Sequence, residues 1–508
     1  MSHWKARSSF MSEYYDVVVV GAGNAAFSAA HAAREEVKQV LILEKAPRDH
    51  AGGNSYYTAG AMRTTFGGLD DLRPILDVFT DEEASRVELS PYTAEDFRAD
   101  MQRVTEGRCD EELTGIMVND AANTLEWLHE KGLRFKLLYE RQSFEVDSKR
   151  RFWGGLVVGT VDGGKGMIRQ HTQAAIRSGI EIRYESPVVG LLQDKVGAVN
   201  GVAIKGPDGR EEVRSGAVVL AAGGFEADLQ MRAAYLGPQW DVAKVRGTPA
   251  NTGEVLRMAI DAGAQPYGHW SGCHSIAWDA AAPPTGDYRL TNLYSKQSYP
   301  VGIVVNGDAK RFIDEGADFR NYTYAKYGAE ILRQPGAVAF QLFDAKTAPL
   351  LREDEYTAPG VSRHEATTIR GLADKAGLNP DALERTVDEF NAAVQPGEFN
   401  PTVKDGKRTE GIEPPKSNWA QPLDEPPFLA FAVTCGITFT FGGLKIDSDA
   451  RVLDRADQPI LGLHAAGELV GGLFYHNYPG GSGLTSGSVF GRRAGASAAK
   501  YAMEQILA

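Results

Sequence analysis

Cysteine is scarce in this sequence, which has only Cys109, Cys273 and Cys435 among its 508 residues. The three lie far apart along the chain, so their spacing excludes a cysteine-based metal site or iron–sulfur cluster. A disulfide framework is equally disfavoured. Because reduced cysteines are typical of a reducing compartment, the sequence predicts a cytoplasmic protein that holds no metal.

Long apolar runs are also absent. Nowhere do about eighteen apolar residues follow one another, so we expect no integral membrane segment. Residues 1–10 lack the hydrophobic stretch of a signal peptide, and residues 1–11 are predicted to be a loose tail. The net charge of −13 excludes nucleic acid and anionic membranes as general partners, because both would be repelled. An anionic ligand would need a local basic pocket.

Glycine, in contrast, is abundant, and many of the 56 glycines form short clusters between apolar runs. Such clusters occur where the backbone turns sharply or approaches a ligand. The length favours two or three domains. Together these features are typical of a nucleotide-binding protein.

The clearest motif is a GxGxxA turn that follows the apolar run of residues 17–20. Gly21 permits the tight turn, Gly23 leaves room for a pyrophosphate, and Ala26 allows close packing of the helix on the strand. A second apolar strand ends at Glu44, at the spacing expected of a carboxylate that binds a ribose hydroxyl. This order predicts a dinucleotide site, but it does not distinguish FAD from NAD.

Further glycine clusters favour FAD. They lie at residues 52–60, at 222–224 after another buried strand, and from 467 onwards near the C-terminus. Each alone could be an ordinary turn, but together they bring distant segments to one long ligand. The predicted cofactor-binding residues are Gly21, Gly23, Asn24, Ala25, Ala26, Glu44, Lys45, Gly52, Gly53, Asn54, Ser55, Ala59, Gly60, Ala222, Gly223, Gly224, Gly467, Glu468, Gly483, Leu484 and Thr485.

These motifs resemble the fumarate reductase/succinate dehydrogenase flavoprotein family over nearly the whole chain. The closing stretch, residues 467–483, is most similar to the FAD-dependent tricarballylate dehydrogenase branch, and it also resembles a cobalamin-pathway flavoprotein. The resemblance implies an α/β fold: a Rossmann-like FAD-binding domain of the two-dinucleotide-fold type with an inserted α+β capping domain. We expect the FAD-binding domain at residues 12–270 and 439–508, and the capping domain at 271–438. Covalent members carry a histidine where this chain has Asn54, so the FAD is expected to be non-covalent.

The resemblance also suggests catalytic residues. In the family, a histidine near the start of the cap binds a substrate carboxylate, and an arginine further on transfers the proton; by resemblance these are His274 and Arg311. Arginine loses its proton only above about pH 12, so a carboxylate such as Asp314 or Glu315 would have to relay its proton. Without the family motif, Arg311 would be interpreted as a surface charge, and His274 as a structural histidine.

Two departures from the family concern the substrate. Phe439 stands where fumarate reductases have a second histidine, and Tyr478 stands where they have an arginine. Both losses disfavour fumarate and succinate. His476, Tyr475 and Tyr478 then become candidates for substrate binding or proton transfer, although they could equally pack beside the flavin. Arg63 and Arg246 are the further cations expected to attract an anion.

The leading prediction is therefore an FAD-dependent dehydrogenase that acts on a CH–CH group and converts tricarballylate to cis-aconitate. The alternatives are a 3-ketosteroid dehydrogenase-like enzyme, a reductase of another small substrate, or an electron-transfer flavoprotein subunit. No second nicotinamide fingerprint is evident, so we expect a separate electron acceptor, an iron–sulfur or quinone-linked protein. The sequence leaves the reaction direction and the oligomeric state open.

Overall fold

A computed structural model describes residues 14–77, 79–139, 143–206 and 209–507. The predicted tail, residues 1–11, lies outside them. None of the helices in these ranges combines the length and the apolar character needed to cross a bilayer.

The secondary structure alternates between helices and strands along the chain. The strands are β1 Tyr14–Val20, β2 Val40–Leu43, β3 Ala61–Met62, β4 Val87–Glu88, β5 Phe135–Leu137, β6 Ser143–Val146, β7 Lys149–Phe152, β8 Val158–Thr160, β9 Glu181–Arg183, β10 Val188–Gln193, β11 Val199–Gly206, β12 Gly209–Leu220, β13 Lys244–Val245, β14 Pro266–Asp279, β15 Ile303–Asn306, β16 Ala339–Phe343, β17 Arg363–Ala366, β18 Phe428–Leu444, β19 Arg451–Leu453 and β20 Pro459–Ala465. The α-helices are α1 Asn24–Glu36, α2 Gly53–Tyr57, α3 Leu69–Leu72, α4 Asp81–Arg86, α5 Ala94–Val104, α6 Glu111–Lys131, α7 Gly163–Arg177, α8 Leu229–Met231, α9 Glu254–Asp261, α10 Tyr324–Leu332, α11 Glu353–Tyr356, α12 Ile369–Ala376, α13 Pro380–Ala393 and α14 Ser482–Leu507.

The first sheet carries the glycine turns. Its strand order is β10-β11-β12-β1-β2-β9, and β20 pairs with β12 and β19. β1 is parallel to both β2 and β12, with Val17 opposite Val40 and Ala217. These apolar strands are buried because helices cover them, as is usual for parallel sheets. The observed mixed α/β fold confirms the predicted fold class.

Helices α1 and α14 pack closely against each other because glycines lie at their contact. A Cβ atom on Gly495 would lie 2.0 Å from the backbone oxygen of Ala29, and one on Gly491 would lie 2.5 Å from that of Ala25. Any larger side chain would separate the helices. The C-terminal helix therefore fixes the position of the helix that follows the first glycine turn.

The second sheet is built mainly from β13 to β18. Long antiparallel strands β14 and β18 pair along most of their length, and β16, β15 and β17 extend the sheet. Helices α12 and α13 pack beside it, and the proline-rich residues 395–427 form neither helix nor strand. The predicted domain boundaries, 270/271 and 438/439, fall within β14 and β18 and stay a prediction.

Candidate functional site

A cavity of about 480 Å³ opens where the glycine turns of the first sheet meet the second sheet. It contains the ends of β1, β2 and β12, so the turns after these strands converge as parallel strands require. Most of the predicted cofactor-binding residues line this cavity: Gly21, Gly23, Asn24, Ala25, Glu44, Lys45, Gly53, Asn54, Ser55, Ala59, Ala222, Gly223, Gly224, Gly467, Glu468, Gly483 and Leu484.

The first turn has the geometry that its glycine predicts. Gly21 has φ +108°, and a Cβ atom there would lie 2.4 Å from the backbone oxygen of Ala221. Only glycine fits both constraints. No side chain caps helix α1, whose first turn also lacks acidic residues, so its N-terminus can face a phosphate.

Glu44 is held at the end of β2 by backbone donors. Its Oε2 accepts from Ala22 N at 2.9 Å, and its Oε1 accepts from Ala46 N at 2.8 Å. Burial raises the pKa of Glu44, although these two hydrogen bonds oppose the shift. The carboxylate is thus fixed in the wall of the cavity, where a ribose would be recognised.

Four of the predicted cofactor-binding residues, Ala26, Gly52, Gly60 and Thr485, support the cavity from behind. Ala26 is buried within α1, and the Thr485 hydroxyl donates to Arg63 O at 2.7 Å. Gly52 and Gly60 have positive φ, and a Cβ atom on Gly60 would lie 2.1 Å from Thr160 Oγ1. Their role in the structure is to shape the backbone.

Asn54 and Asn24 use their side chains to join segments. Asn54 Nδ2 donates to Glu226 and to Thr438 O, and its Oδ1 accepts from Thr248 N at 2.8 Å. Asn24 Nδ2 donates at 2.9 Å to Leu484 O and to Ser488 Oγ on α14. Both amides therefore fix the cavity wall from within the protein.

The residues present fit an FAD. The cavity extends from Glu44 and the exposed Val189 to an aromatic end, and it passes the uncapped helix N-terminus and the Gly223-Gly224 turn. A Cβ atom on Gly224 would lie 2.2 Å from Glu468 Oε1, so backbone alone can form this wall. A long ligand with a ribose, a pyrophosphate and a ring matches this order of groups.

The aromatic end of the cavity carries a pair of hydroxyl groups. Tyr478 Oη and Tyr324 Oη lie 2.6 Å apart, and Phe439 and Phe474 pack edge-on against the Tyr478 ring. Burial raises the pKa of Tyr478 well above its usual value, and the neighbouring Tyr324 adds to the shift. Tyr478 is therefore protonated at neutral pH and able to donate a hydrogen bond.

Two arginines line the same cavity. The Arg246 guanidinium donates to Asn292 Oδ1 and, at 2.9 Å, to Thr438 Oγ1, and its charge acts on both tyrosines of the pair. Arg320 donates to Gln297 Oε1 at 2.9 Å and lies one helical turn before Tyr324. Of the two further cations expected from the sequence, Arg246 therefore lines the cavity.

Arg63 does not line it. Its buried guanidinium pairs with Asp100 at 3.0 Å and donates to Tyr92 Oη and to Gly480 O. It holds the closing glycine segment in place behind the cavity wall.

Arg311 and His476 lie away from the cavity. Arg311 forms a buried ion pair with Glu315, donates to Pro414 O at 2.7 Å and packs over Phe390. His476 is partly exposed, with its backbone N donating to His269 Nδ1 at 3.0 Å. The predicted contact of Arg311 with substrate is therefore corrected: in this structure its side chain is buried beside the second sheet and does not line the cavity.

His274 lies directly behind the aromatic end. Its ring packs edge-on against Tyr324 and Tyr478, and neither ring nitrogen has a hydrogen-bond partner among the described residues. Burial lowers the pKa of His274 well below its usual value, and Arg246 lowers it further. A neutral histidine behind the lining residues supports the tyrosine pair but offers no charge to a carboxylate.

Sequence reasoning missed Arg320, Tyr324 and Gln297. All three lie between β14 and β16, in segments that carry no glycine motif, and only the fold brings them to the cavity. The one signal in the sequence was local, because Arg320 and Tyr324 belong to an aromatic-rich segment shortly after Arg311. Among the described residues, no cluster of His, Cys, Asp and Glu is placed to bind a metal ion.

Comparisons with known proteins support an FAD-binding protein. A family model described as "FAD binding domain" matches residues 16–484. A probable fumarate reductase, Ifc3, from Shewanella frigidimarina (strain NCIMB 400) is 31% identical over 99% of this chain and 77% of its own length. A 4-oxocyclohexanecarboxylate 2-dehydrogenase from Sinomonas cyclohexanicum is 28% identical over 96% of this chain and 94% of its own.

A solved structure shows the same fold. The open conformation of a flavocytochrome c3 fumarate reductase superposes with a TM-score of 0.73 at 28% identity, over 97% of this chain and 79% of that one.

Proposed function

The chain belongs to the FAD-binding family of flavoprotein fumarate reductases and related dehydrogenases, and we propose that it reduces a C=C bond conjugated to a carbonyl or carboxylate group in a small substrate. It is an FAD-dependent oxidoreductase that acts on CH–CH groups. The observation that carries the proposal is the convergence of Arg320 and the Tyr324–Tyr478 pair at the aromatic end of the FAD cavity.

The polar groups at this end favour reduction over dehydrogenation. Arg246, Arg320 and Tyr478 all hold protons at neutral pH, because the arginines are always charged and burial raises the pKa of Tyr478. A dehydrogenase needs a base to remove a C–H proton. The carboxylates that line the cavity accept from other groups: Glu44 from Ala22 and Ala46, Glu254 from Lys45, and Glu468 from Thr440.

When bound and reduced by its electron-transfer partner, FAD would supply a hydride to one carbon of the double bond. The protein's own groups bind and polarise the substrate: Arg320 and Arg246 face a carboxylate or carbonyl oxygen, and their charges favour the electron density that gathers there. Tyr478 Oη, or Arg320, gives a proton to the second carbon, and the Tyr324 hydroxyl keeps Tyr478 oriented. The phenylalanines exclude water.

The two lining arginines favour a substrate with one or two anionic groups and an apolar body. Tricarballylate, with three carboxylates, remains the alternative that the closing segment suggests. A fused-ring ketone remains the alternative that the aromatic lining suggests, since Tyr478 can donate to a ketone. We further propose that a separate iron–sulfur or quinone-linked protein exchanges electrons with the FAD.

A substrate panel tests this proposal. The FAD-loaded protein is supplied with reduced viologen under anaerobic conditions and mixed with an aryl acrylate, a cyclohexenone carboxylate, fumarate, cis-aconitate or a steroid enone. We expect the first two to consume viologen fastest. In the reverse assay, tricarballylate and 3-ketosteroids are tested for bleaching of the oxidised flavin. If either bleaches it rapidly while neither the aryl acrylate nor the cyclohexenone carboxylate is turned over, the proposed reduction is wrong and dehydrogenation of that compound takes its place.

A further inference from the structure

A pair of carboxyl groups, Glu226 and Glu468, lies at the FAD cavity, and none of the described residues forms an ion pair with either of them. Glu226 follows the Gly223-Gly224 turn and is fully buried behind the cavity wall, while Glu468, after β20, is half-buried and lines the cavity. The two side chains are within hydrogen-bonding range of each other. Two adjacent carboxylates in such a place cannot both be ionised at low cost.

The hydrogen bonds around Glu226 leave one of its oxygens without a donor. Its Oε1 accepts from Asn54 Nδ2 and from Asn251 Nδ2, each at 2.6 Å, whereas Oε2 has no partner among the described residues. A buried carboxylate oxygen without a donor costs free energy. A proton between Glu226 and Glu468 would remove that cost.

Glu468 has the opposite environment. Its Oε1 accepts from Thr440 N at 2.7 Å and from Thr440 Oγ1 at 3.2 Å. Backbone donors of this kind stabilise an ionised carboxylate. Glu468 is therefore the better acceptor of the two, and Glu226 the better site for the proton.

The charged and titratable groups around the pair do not neutralise it. Arg232 and the Cys273 thiol also face Glu226, but the Arg232 guanidinium donates to Ala243 O at 2.7 Å and to Asp241 O at 3.2 Å. In the described part of the chain, no lysine, arginine or histidine forms an ion pair with either carboxyl group.

We infer that Glu226 and Glu468 share one proton, so that a neutral Glu226 donates to an ionised Glu468 and the pair carries a single negative charge beside the bound FAD. Burial and the nearby Glu468 both raise the pKa of Glu226 well above its usual value, in agreement with this geometry. The pair thereby limits the negative charge beside a cofactor that gains electrons. It also holds Asn54 in the cavity wall.

The midpoint potential of the bound FAD tests this assignment without any substrate. A negative charge nearby disfavours the addition of electrons, so its removal raises the potential. Glu226→Gln keeps the shape of a neutral Glu226, and its amide can still donate to Glu468. We expect E226Q to leave the potential unchanged, and the double variant E226Q/E468Q to raise it, since only the double variant removes a charge.

Other outcomes would overturn the inference. If E226Q raises the potential, and adding E468Q raises it again by the same amount, both carboxyl groups are ionised in the natural protein. If the double variant equals E226Q, Glu468 carries no charge. Glu254→Gln is the matched control, because this carboxylate also lines the cavity but pairs with Lys45 and is half-exposed, so its removal should shift the potential less.

Infrared spectroscopy tests the shared proton in the natural protein, so it does not depend on whether a variant folds. The natural holoprotein should show the C=O stretch of a protonated, buried carboxyl group at pH 7, and the band should shift when the glutamates carry ¹³C. Absence of a protonated-carboxyl band from the natural protein would by itself refute the shared proton. Its loss in a folded E226Q variant would assign it to this pair.

Discussion

The contrast between Arg311 and Arg320 gives the sharpest test of the site as the structure shows it. Both arginines belong to one segment, but Arg311 is buried in an ion pair with Glu315 whereas Arg320 lines the FAD cavity. We expect Arg311→Gln to lower stability and Arg320→Gln to lower turnover. Each variant serves as the control for the other.

The size of the Arg311 effect follows from its partners. The Arg311 side chain is 5% exposed and that of Glu315 is 0% exposed, so R311Q leaves the interior carboxylate of Glu315 without its ion-pair partner. Breaking a buried ion pair in this way costs roughly 3–5 kcal/mol. Glu315 Oε1 keeps its hydrogen bond from Val304 N at 2.8 Å, which places the expected loss near the lower limit, about 3 kcal/mol.

Urea denaturation of the holoprotein, followed by tryptophan and flavin fluorescence, measures this loss. R311Q should unfold at a clearly lower urea concentration and should turn over nearly normally while folded. R320Q should unfold near the natural midpoint, bind FAD, and lose roughly 10²–10⁴-fold in turnover, the range typical of a proton-transfer residue. A stable R311Q variant without turnover, together with an active R320Q, would refute the reasoning and restore Arg311 to the chemistry.

Three further outcomes are expected. Acid precipitation should release FAD into the supernatant, because the Asn54 amide, which is bonded within the cavity wall, cannot form a covalent link; flavin in the pellet would contradict this. Tyr478→Phe should retain FAD and lower turnover roughly 10²-fold or more. The control is Tyr299→Phe, which changes a buried tyrosine outside the cavity and should turn over normally; equal rates in the two variants would exclude Tyr478 from proton transfer. Burial lowers the pKa of His31 to about 4, so between about pH 6.5 and 4 the unfolded chain binds more protons than the folded one, and stability is lost as the pH falls through this window. His31→Phe should therefore make the urea midpoint less dependent on pH in this range. An unchanged dependence would show that His31 does not contribute.

The cofactor half of the site could be predicted because its constraints are local. Gly21 occupies a backbone conformation that only glycine adopts easily, and Glu44 ends a strand at a fixed distance along the chain. Such features depend on neighbours in the sequence, and the order of strand, turn, helix and strand preserves them.

The substrate half could not be predicted in the same way. Tyr478 and Tyr324 lie far apart in the sequence, and only the packing of α10 against the closing glycine segment brings their hydroxyl groups together. Arg311 and Arg320 also look alike in the sequence. Which of them reaches the cavity depends on Glu315, whose buried carboxylate pairs with the first.

A single-turnover experiment tests the central claim most directly. The holoprotein is reduced photochemically without oxygen and mixed in a stopped-flow instrument with an aryl acrylate or a cyclohexenone carboxylate. We predict that the oxidised flavin spectrum returns as the saturated product forms, and that this rate falls roughly 10²-fold or more in Arg320→Gln. If an artificial dye reoxidises the flavin while no conjugated alkene does, the protein transfers electrons without reducing a C=C bond, and the proposed function is contradicted.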